Sequence, residues 1–436
     1  MNWVLPILAL SVLAVAAVSG RLTGTPVTPA MVFVTIGVLV GPEVGGEVDL
    51  APTGATVRTL AEATLALVLF SDASRIRLSA LRREYEVPLR LLGVGLPLTI
   101  AAGAAFAVAV LGQLTLAEAT VLAVLLAPTD AALGQAVVTE PRLPSRIRQG
   151  LNVESGLNDG ICVPLLLIAL AAADVDAHLT SGHHAIAILA EALGYGLLGG
   201  VAAGLAVVLV VRVSGPRQLI TPPWMQVVPV GGAGLAYGLA AALGGSGFIA
   251  AFVAGALFGA LLERESETAT RLTDELGQLL NGVTFVVFGA VLLGPALAHV
   301  GGTILLYSVL SLTLVRIAPV AIAMLGSGAR APTVGFLGWF GPRGLASIVF
   351  AVIAVEHTHL PHVDVVLTVT YLAVGLSVFA HGVSAAPLAA RYARWYESHP
   401  SERRPKMESA PAAAHRPRGP RVGPAEPLAA VEVSNE

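Results

Sequence analysis

The chain has 436 residues, of which 55% are hydrophobic and 12% charged, with a mean hydropathy of +0.80. A soluble domain carries about a quarter charged residues, so this composition places the chain in a lipid bilayer. The net charge of -3 argues against a nucleic-acid partner, and a single cysteine, Cys162, excludes an internal disulfide framework.

Crossing a hydrocarbon core takes about 20 apolar residues, and about thirteen runs approach that length, predicting an all-α polytopic membrane protein. In chain order they cover residues 3–19, 26–40, 56–69, 87–111, 116–138, 151–172, 185–211, 224–243, 247–262, 279–297, 304–325, 334–355 and 363–388. The first is read as a spanning helix rather than a secretory signal, because no basic segment precedes it. Just past the third stands Asp72, a candidate cation ligand, whereas Glu62 within it reads as a local hydrogen-bonding residue. The fifth is interrupted by Pro128, followed directly by Thr129 and Asp130. The sixth carries Glu154, Ser155, Asn158 and Asp159, so that Glu154 and Asn158 share one stripe of the helix and Ser155 and Asp159 the next. Arg316 lies inside the eleventh, and the twelfth is interrupted at Gly341-Pro342 with Arg343 beside the break. His381 near the end of the last is read as a packing residue in preference to a pH sensor.

Short cytoplasmic loops collect Lys and Arg, which sets the orientation. Arg75, Arg77, Arg82 and Arg83, then Arg142, Arg146 and Arg148, Arg212 and Arg217, and Arg264 and Arg271 all follow odd-numbered spans. Arg21 and Arg330 fall on the same side, and Arg58 is the exception. The N-terminus is therefore expected outside and the C-terminus in the cytoplasm. Residues 1–390 form the membrane body. The stretch 391–436, rich in Pro, Arg, Glu and Ala, is expected to be a disordered cytoplasmic tail.

Ionisable residues at membrane depth mark function by default. Proline removes a helical donor, and the backbone groups freed at such a break are tolerated only inside protein or beside a water-filled cavity. Spans five and twelve enter the membrane in opposite directions, and an interrupted pair in corresponding positions of two inverted halves marks a secondary transporter. Hard monovalent cations take oxygen ligands, which Thr129, Asp130, Ser155 and Asp159 supply, with Asp72 in reserve. Asp130 is expected to stand at the amino end of a second half-helix. Glu154 is assigned to a structural ion pair with Arg316 or Arg343, a choice the spacing leaves open.

The segments Pro128-Thr129-Asp130, Val153-Glu154-Ser155-Gly156-Leu157-Asn158-Asp159-Gly160 and Gly341-Pro342-Arg343-Gly344 with Ser347 resemble those of the cation/proton antiporters, specifically the electroneutral sodium/proton exchangers of prokaryotes. The resemblance covers essentially residues 1 to 390. It implies inverted repeats with two crossing interrupted helices, a core domain moving against a dimerisation domain, and a homodimer in the plasma membrane. It also implies that Asp159 binds either the cation or a proton, and that Asn158, where relatives carry a second aspartate, goes with exchange of one Na+ for one H+. Gly156 departs from the larger apolar residue usual at that place. No cofactor is expected, the substrates being Na+ (or Li+ or K+) and H+.

Three other classes fit less well. A nucleotide-driven pump lacks its lysine, since Lys406 in the tail is the only one in the chain. Thr333-Val334-Gly335-Phe336 looks like part of a potassium filter, but Leu337 stands where the next filter glycine belongs. An intramembrane enzyme would need nucleophiles or metal ligands, and the cluster Glu356, His357, His359 and His362 reads as a solvated outer loop.

Overall fold

The computed structural model describes residues 4–22, 25–41, 54–75, 85–130, 133–134, 137, 140–176, 182–215, 217–262, 269–357, 360–399 and 405–409. Among them every regular element is a helix, as a bilayer demands when main-chain groups have no water to bond. The helices are α1 (Val4–Leu22), α2 (Pro29–Val40), α3 (Gly54–Ser74), α4 (Glu86–Leu111), α5 (Leu116–Leu125), α6 (Ser145–Asp176) and α7 (Gly182–Ser214). There follow α8 (Pro222–Ala242), α9 (Gly247–Leu261), α10 (Arg271–Leu297), α11 (Gly302–Ala323), α12 (Ala331–Trp339), α13 (Leu345–His357), α14 (Val363–Glu397) and the short α15 (Lys406–Ser409). Eight of the described helices are long and apolar enough to cross a membrane. The larger sequence count includes the short α2, α5, α9 and α13, the interrupted spans, and α3, which ends in the polar run from Ser71 to Arg75.

Helix starts follow local chemistry. Thr28 accepts a hydrogen bond from Met31 N at 3.3 Å ahead of Pro29, whose missing N–H costs nothing at the first helical position. At α5, Thr115 and Glu118 cap one another reciprocally, with bonds of 3.2 and 2.9 Å. The Glu118 carboxylate also accepts from His362 N at 2.8 Å, tying the start of α5 to the start of α14. His362 stays in the turn ahead of α14 with its side chain 38% exposed.

Between helices the close approaches rely on glycine. A Cβ on Gly255 would collide with the Phe70 carbonyl, and one on Gly259 with that of Ser74, so α9 lies directly on the backbone of α3. Gly37 and Gly289 do the same for α2 and α10. With lipid as solvent no hydrophobic force drives helices together, so such contacts carry the packing. They hold the end of α3, and with it Asp72, in a fixed place.

The last helix runs on to Glu397, past the expected start of the disordered tail at 391. Tyr392 explains why: its ring stacks between Phe336, 4.5 Å away, and Trp395, 5.3 Å away. Further on, Met407 and Glu408 are buried against the body. Glu408 accepts from Arg330 N at 2.9 Å and from the Thr333 hydroxyl at 2.6 Å, capping α12. Composition averaged over the tail does not register one apolar residue and one capping carboxylate. Residues 410–436 lie outside the described part, as do Arg77, Arg82, Arg83 and Arg264.

Gly255→Ala should lower stability by about 1–3 kcal/mol, the usual cost of overpacking. Gly231→Ala on α8, where a methyl meets open space, should be neutral or slightly stabilising. Thermal unfolding of the two purified variants checks the pair; equal melting points would refute the packing argument.

Candidate cation site

The first break begins where α5 ends at Leu125 and the chain runs without regular structure through Pro128 to Asp130. The second spans residues 340–344, between α12 and α13. The two breaks cross in direct contact. Asp130 N donates to Pro342 O at 2.7 Å, and the Asp130 carboxylate accepts from Leu345 N at 3.2 Å. In return Arg343 donates to Ala127 O at 2.9 Å and to Pro128 O at 3.2 Å. Each break thus lends the other a charge it calls for: a carboxylate on the exposed N–H groups at the start of α13, a guanidinium on the carbonyls of Ala127 and Pro128 just past the end of α5. Gly344 leaves the space the Asp130 carboxylate fills, since a Cβ there would collide with it. The expected half-helix after Asp130 falls largely on residues outside the described part; the carboxylate heads the opposite interrupted segment instead.

Against this crossing lies the polar face of α6, where Glu154, Ser155, Asn158 and Asp159 are all buried. Three of its bonds converge on Thr129. Ser155 donates to Thr129 O at 2.6 Å, Asn158 accepts from Thr129 N at 3.0 Å, and the Asn158 amide donates to the Thr129 hydroxyl at 2.9 Å. Both ends of the Asn158 side chain brace the break at Thr129, and its amide oxygen keeps a second lone pair. Because Ser155 uses its proton on the carbonyl, its lone pairs remain available to a cation.

Glu154 faces Arg316 across a 3.0 Å ion pair, with both side chains at most 2% exposed. Arg343 goes to the carbonyls, so the two arginines divide the work that sequence left ambiguous. A small space of about 20 Å³ lies between Thr129, Asp130, Glu154, Ser155, Phe340 and Pro342, room for one water or one bare monovalent cation. Asp159, one turn along α6 from Ser155, is buried but does not line that space. Asp72 is 6% exposed and packs on α6 at Gly156, whose added Cβ would lie 3.7 Å from that of Asp72.

Two residues of the last helix complete the second break without having been marked as part of it. Ser377 accepts from Arg343 N at 2.6 Å, and His381 spans from Ser377 at 3.0 Å to Trp339 O at 3.0 Å. Their only signal in the sequence is a Ser-His pair at helical spacing in an apolar run. Thr333, in turn, lies within α12 and bonds Tyr392 at 2.8 Å, so residues 333–336 line no extended filter. Among the described residues no three His, Cys, Asp or Glu side chains come together as metal ligands.

Apolar helices with two interrupted segments crossing at depth, each break stabilised by the other's charge, define a secondary transporter rather than an enzyme. The chain belongs to the sodium/hydrogen exchanger transmembrane family, whose profile matches residues 7–391. It is 27% identical over 358 residues to the Na(+)/H(+) antiporter NhaP of Pseudomonas aeruginosa, covering 78% of this chain and 81% of that one. It is 26% identical over 395 residues to the K(+)/H(+) antiporter NhaP2 of Shewanella oneidensis, covering 88% of this chain. The match spans 65% of that relative's length. In fold it is similar to the sodium proton antiporter MjNhaP1 of Methanocaldococcus jannaschii, with a TM-score of 0.72 at 18% identity, over 90% of this chain and 98% of that one.

Removing one partner of a buried ion pair costs roughly 3–5 kcal/mol. Glu154→Gln should therefore lower the thermal unfolding midpoint markedly by stranding Arg316. A variant as stable as the parent, with only its apparent cation affinity changed, would make Glu154 a ligand instead of a strut.

Proposed function

We propose that the chain exchanges a monovalent cation, Na+ in first place, for H+ by alternating access, with cation and proton competing for Asp159. The observation that carries this reading is the crossing itself. Thr129, Asp130 and Ser155 surround one small buried space, and Asp159 follows one turn along the same helix. These are the hard oxygen donors a monovalent cation needs once it has lost its water. Asp72, packed against α6 at Gly156, completes the set.

A 1:1 electroneutral cycle follows from the neutral Asn158. Its amide holds Thr129, so the 158–159 pair offers one ionisable group, which takes one proton or one cation at a time. The homodimer, the plasma-membrane location with the N-terminus outside, and the movement of a core domain against a dimerisation domain within residues 1–390 belong to the same proposal. K+ is the second reading for the cargo, favoured by the likeness to the K(+)/H(+) antiporter NhaP2 of Shewanella oneidensis. Proton flux in vesicles reconstituted with the full chain, driven in turn by Na+, Li+ and K+, separates the two.

Competition at one carboxylate makes the apparent cation KM rise as pH falls, by up to about tenfold per pH unit once the proton dominates. The maximal rate should recover at saturating cation. Asp159→Asn should abolish exchange while leaving a folded protein. Equilibrium Na+ binding across a pH series is the direct measurement, and pH-dependent binding of undiminished affinity in Asp159→Asn would falsify the shared site.

Neutral stoichiometry makes a further demand: the exchange rate should not respond to an imposed membrane potential. Flux measured at valinomycin-clamped voltages tests this, and a clear acceleration or slowing counts against one-for-one exchange.

A further inference from the structure

We infer that His381 works as a neutral imidazole with its proton on Nε2, and that in this form it sets the position of Arg343 at the second break. Its bearing on the cation rests on the proposed cation site; the form of the ring does not. Ser377 is fully buried, so both the proton and the lone pairs of its hydroxyl need partners. Arg343 N donates to the Ser377 Oγ at 2.6 Å. Among the described residues the acceptor that the hydroxyl proton reaches is His381 Nδ1, 3.0 Å away.

That bond leaves Nδ1 without a proton of its own. A neutral imidazole donates from one nitrogen and accepts at the other, so Nε2 carries the proton. Nε2 stands 3.0 Å from Trp339 O, which can only accept. The opposite tautomer would set a lone pair against that carbonyl and leave the Ser377 proton without an acceptor. An imidazolium would satisfy Trp339 and strand the same proton. Ser377 O, 3.1 Å from Nδ1, lies one turn back in α14 and has the helical N–H of residue 381 as its donor, so it needs nothing from the ring. The Trp339 indole lies against the imidazole with ring centres 5.0 Å apart, and its Nε1 donates to Ser384 at 2.9 Å, which steadies the ring from the side.

The bonds run in one direction, from Arg343 N to Ser377, from Ser377 to His381 and from His381 to Trp339 O. Trp339 is the last residue of α12 and Arg343 lies just ahead of α13, so the ring ties the two sides of the break together from α14. Arg343 in turn holds the carbonyls of Ala127 and Pro128, the two residues ahead of Thr129 and Asp130. His381 is therefore a positioning residue that acts on the proposed ligands through Arg343.

Nitrogen NMR of the full chain in vesicles, with histidine labelled on its ring nitrogens, reads the form of the ring directly. The resonances missing from His381→Gln belong to His381. At neutral pH they should show Nε2 protonated and Nδ1 bare; a proton on Nδ1, alone or together with Nε2, overturns the inference. The Na+ dependence of proton flux then separates positioning from packing. Glutamine can accept from Ser377 with its carbonyl and donate to Trp339 O with its amide, so His381→Gln should keep the apparent Na+ KM within about threefold of the parent. His381→Leu can do neither and should raise the KM roughly tenfold, the scale of a buried hydrogen bond left unmade. If His381→Leu lowers only the thermal midpoint and leaves the KM of the parent, His381 is a packing residue and the inference is overturned. It is overturned equally if His381→Gln is as impaired as His381→Leu. Should His381→Leu not assemble, the labelled ring of the parent and the KM of His381→Gln decide. If Asp159→Asn exchanges as the parent does, the proposed cation site is what fails, and the labelled ring alone decides the inference.

Discussion

Main-chain groups freed from a helix inside a membrane have to be satisfied by something other than water, and in this chain each interrupted segment satisfies the other. Asp130 N on Pro342 O and Arg343 on the carbonyls of residues 127 and 128 are the contacts by which two breaks become one junction. Everything polar at depth is arranged around it. Thr129 is held by Ser155 and Asn158, Arg343 N by Ser377, and Ser377 by His381. Without the crossing, none of these side chains would have a partner of the right polarity at the right depth.

The charges follow the same economy of position. Arg343 and Arg316, each 1% exposed, answer different needs. Arg343 meets a helix C-terminus, where a row of carbonyls gathers partial negative charge. Arg316 meets Glu154, a full carboxylate. Asp130 meets the N-terminus of α13. A charge fixed on a helix end stays in register with the helix if the helix moves, so this placement would keep the junction intact through the motion of the proposed alternating access. The same logic extends outward, where Glu118 caps α5 and binds His362, and Glu408 caps α12. Both interrupted segments are therefore anchored at their far ends by a carboxylate, Glu118 from within α5 and Glu408 from α15.

Close packing supplies the rigidity that these contacts presuppose. Gly255 and Gly259 let α9 lie on the backbone of α3, so the end of α3 has little freedom to shift, and Asp72 and Arg75 keep their places relative to α10 and α6. The proposed site, with ligands from α3, α6 and the first break, depends on such contacts, because no short stretch of chain carries all of them.

The amino-acid sequence by itself determined the helical class, the spanning segments, the two breaks and the acids and arginines at depth. All of these follow from local rules: apolar length, the missing donor of proline, and the cost of charge in lipid. Tertiary structure alone decided the pairings. Glu154 could have met Arg316 or Arg343 by spacing, and only the crossing, which gives Arg343 the carbonyls of α5, leaves Arg316 for Glu154. Asn158 read from the sequence as a cation ligand, and only the fold brings its amide onto the backbone and hydroxyl of Thr129 on another segment. Ser377, His381 and Glu408 were silent because a lone polar residue in an apolar helix or a proline-rich tail acquires meaning only from what packs against it. The ion pair of Arg75 with Asp274 was equally hidden, since Asp274 is brought to the end of α3 from α10 by the fold.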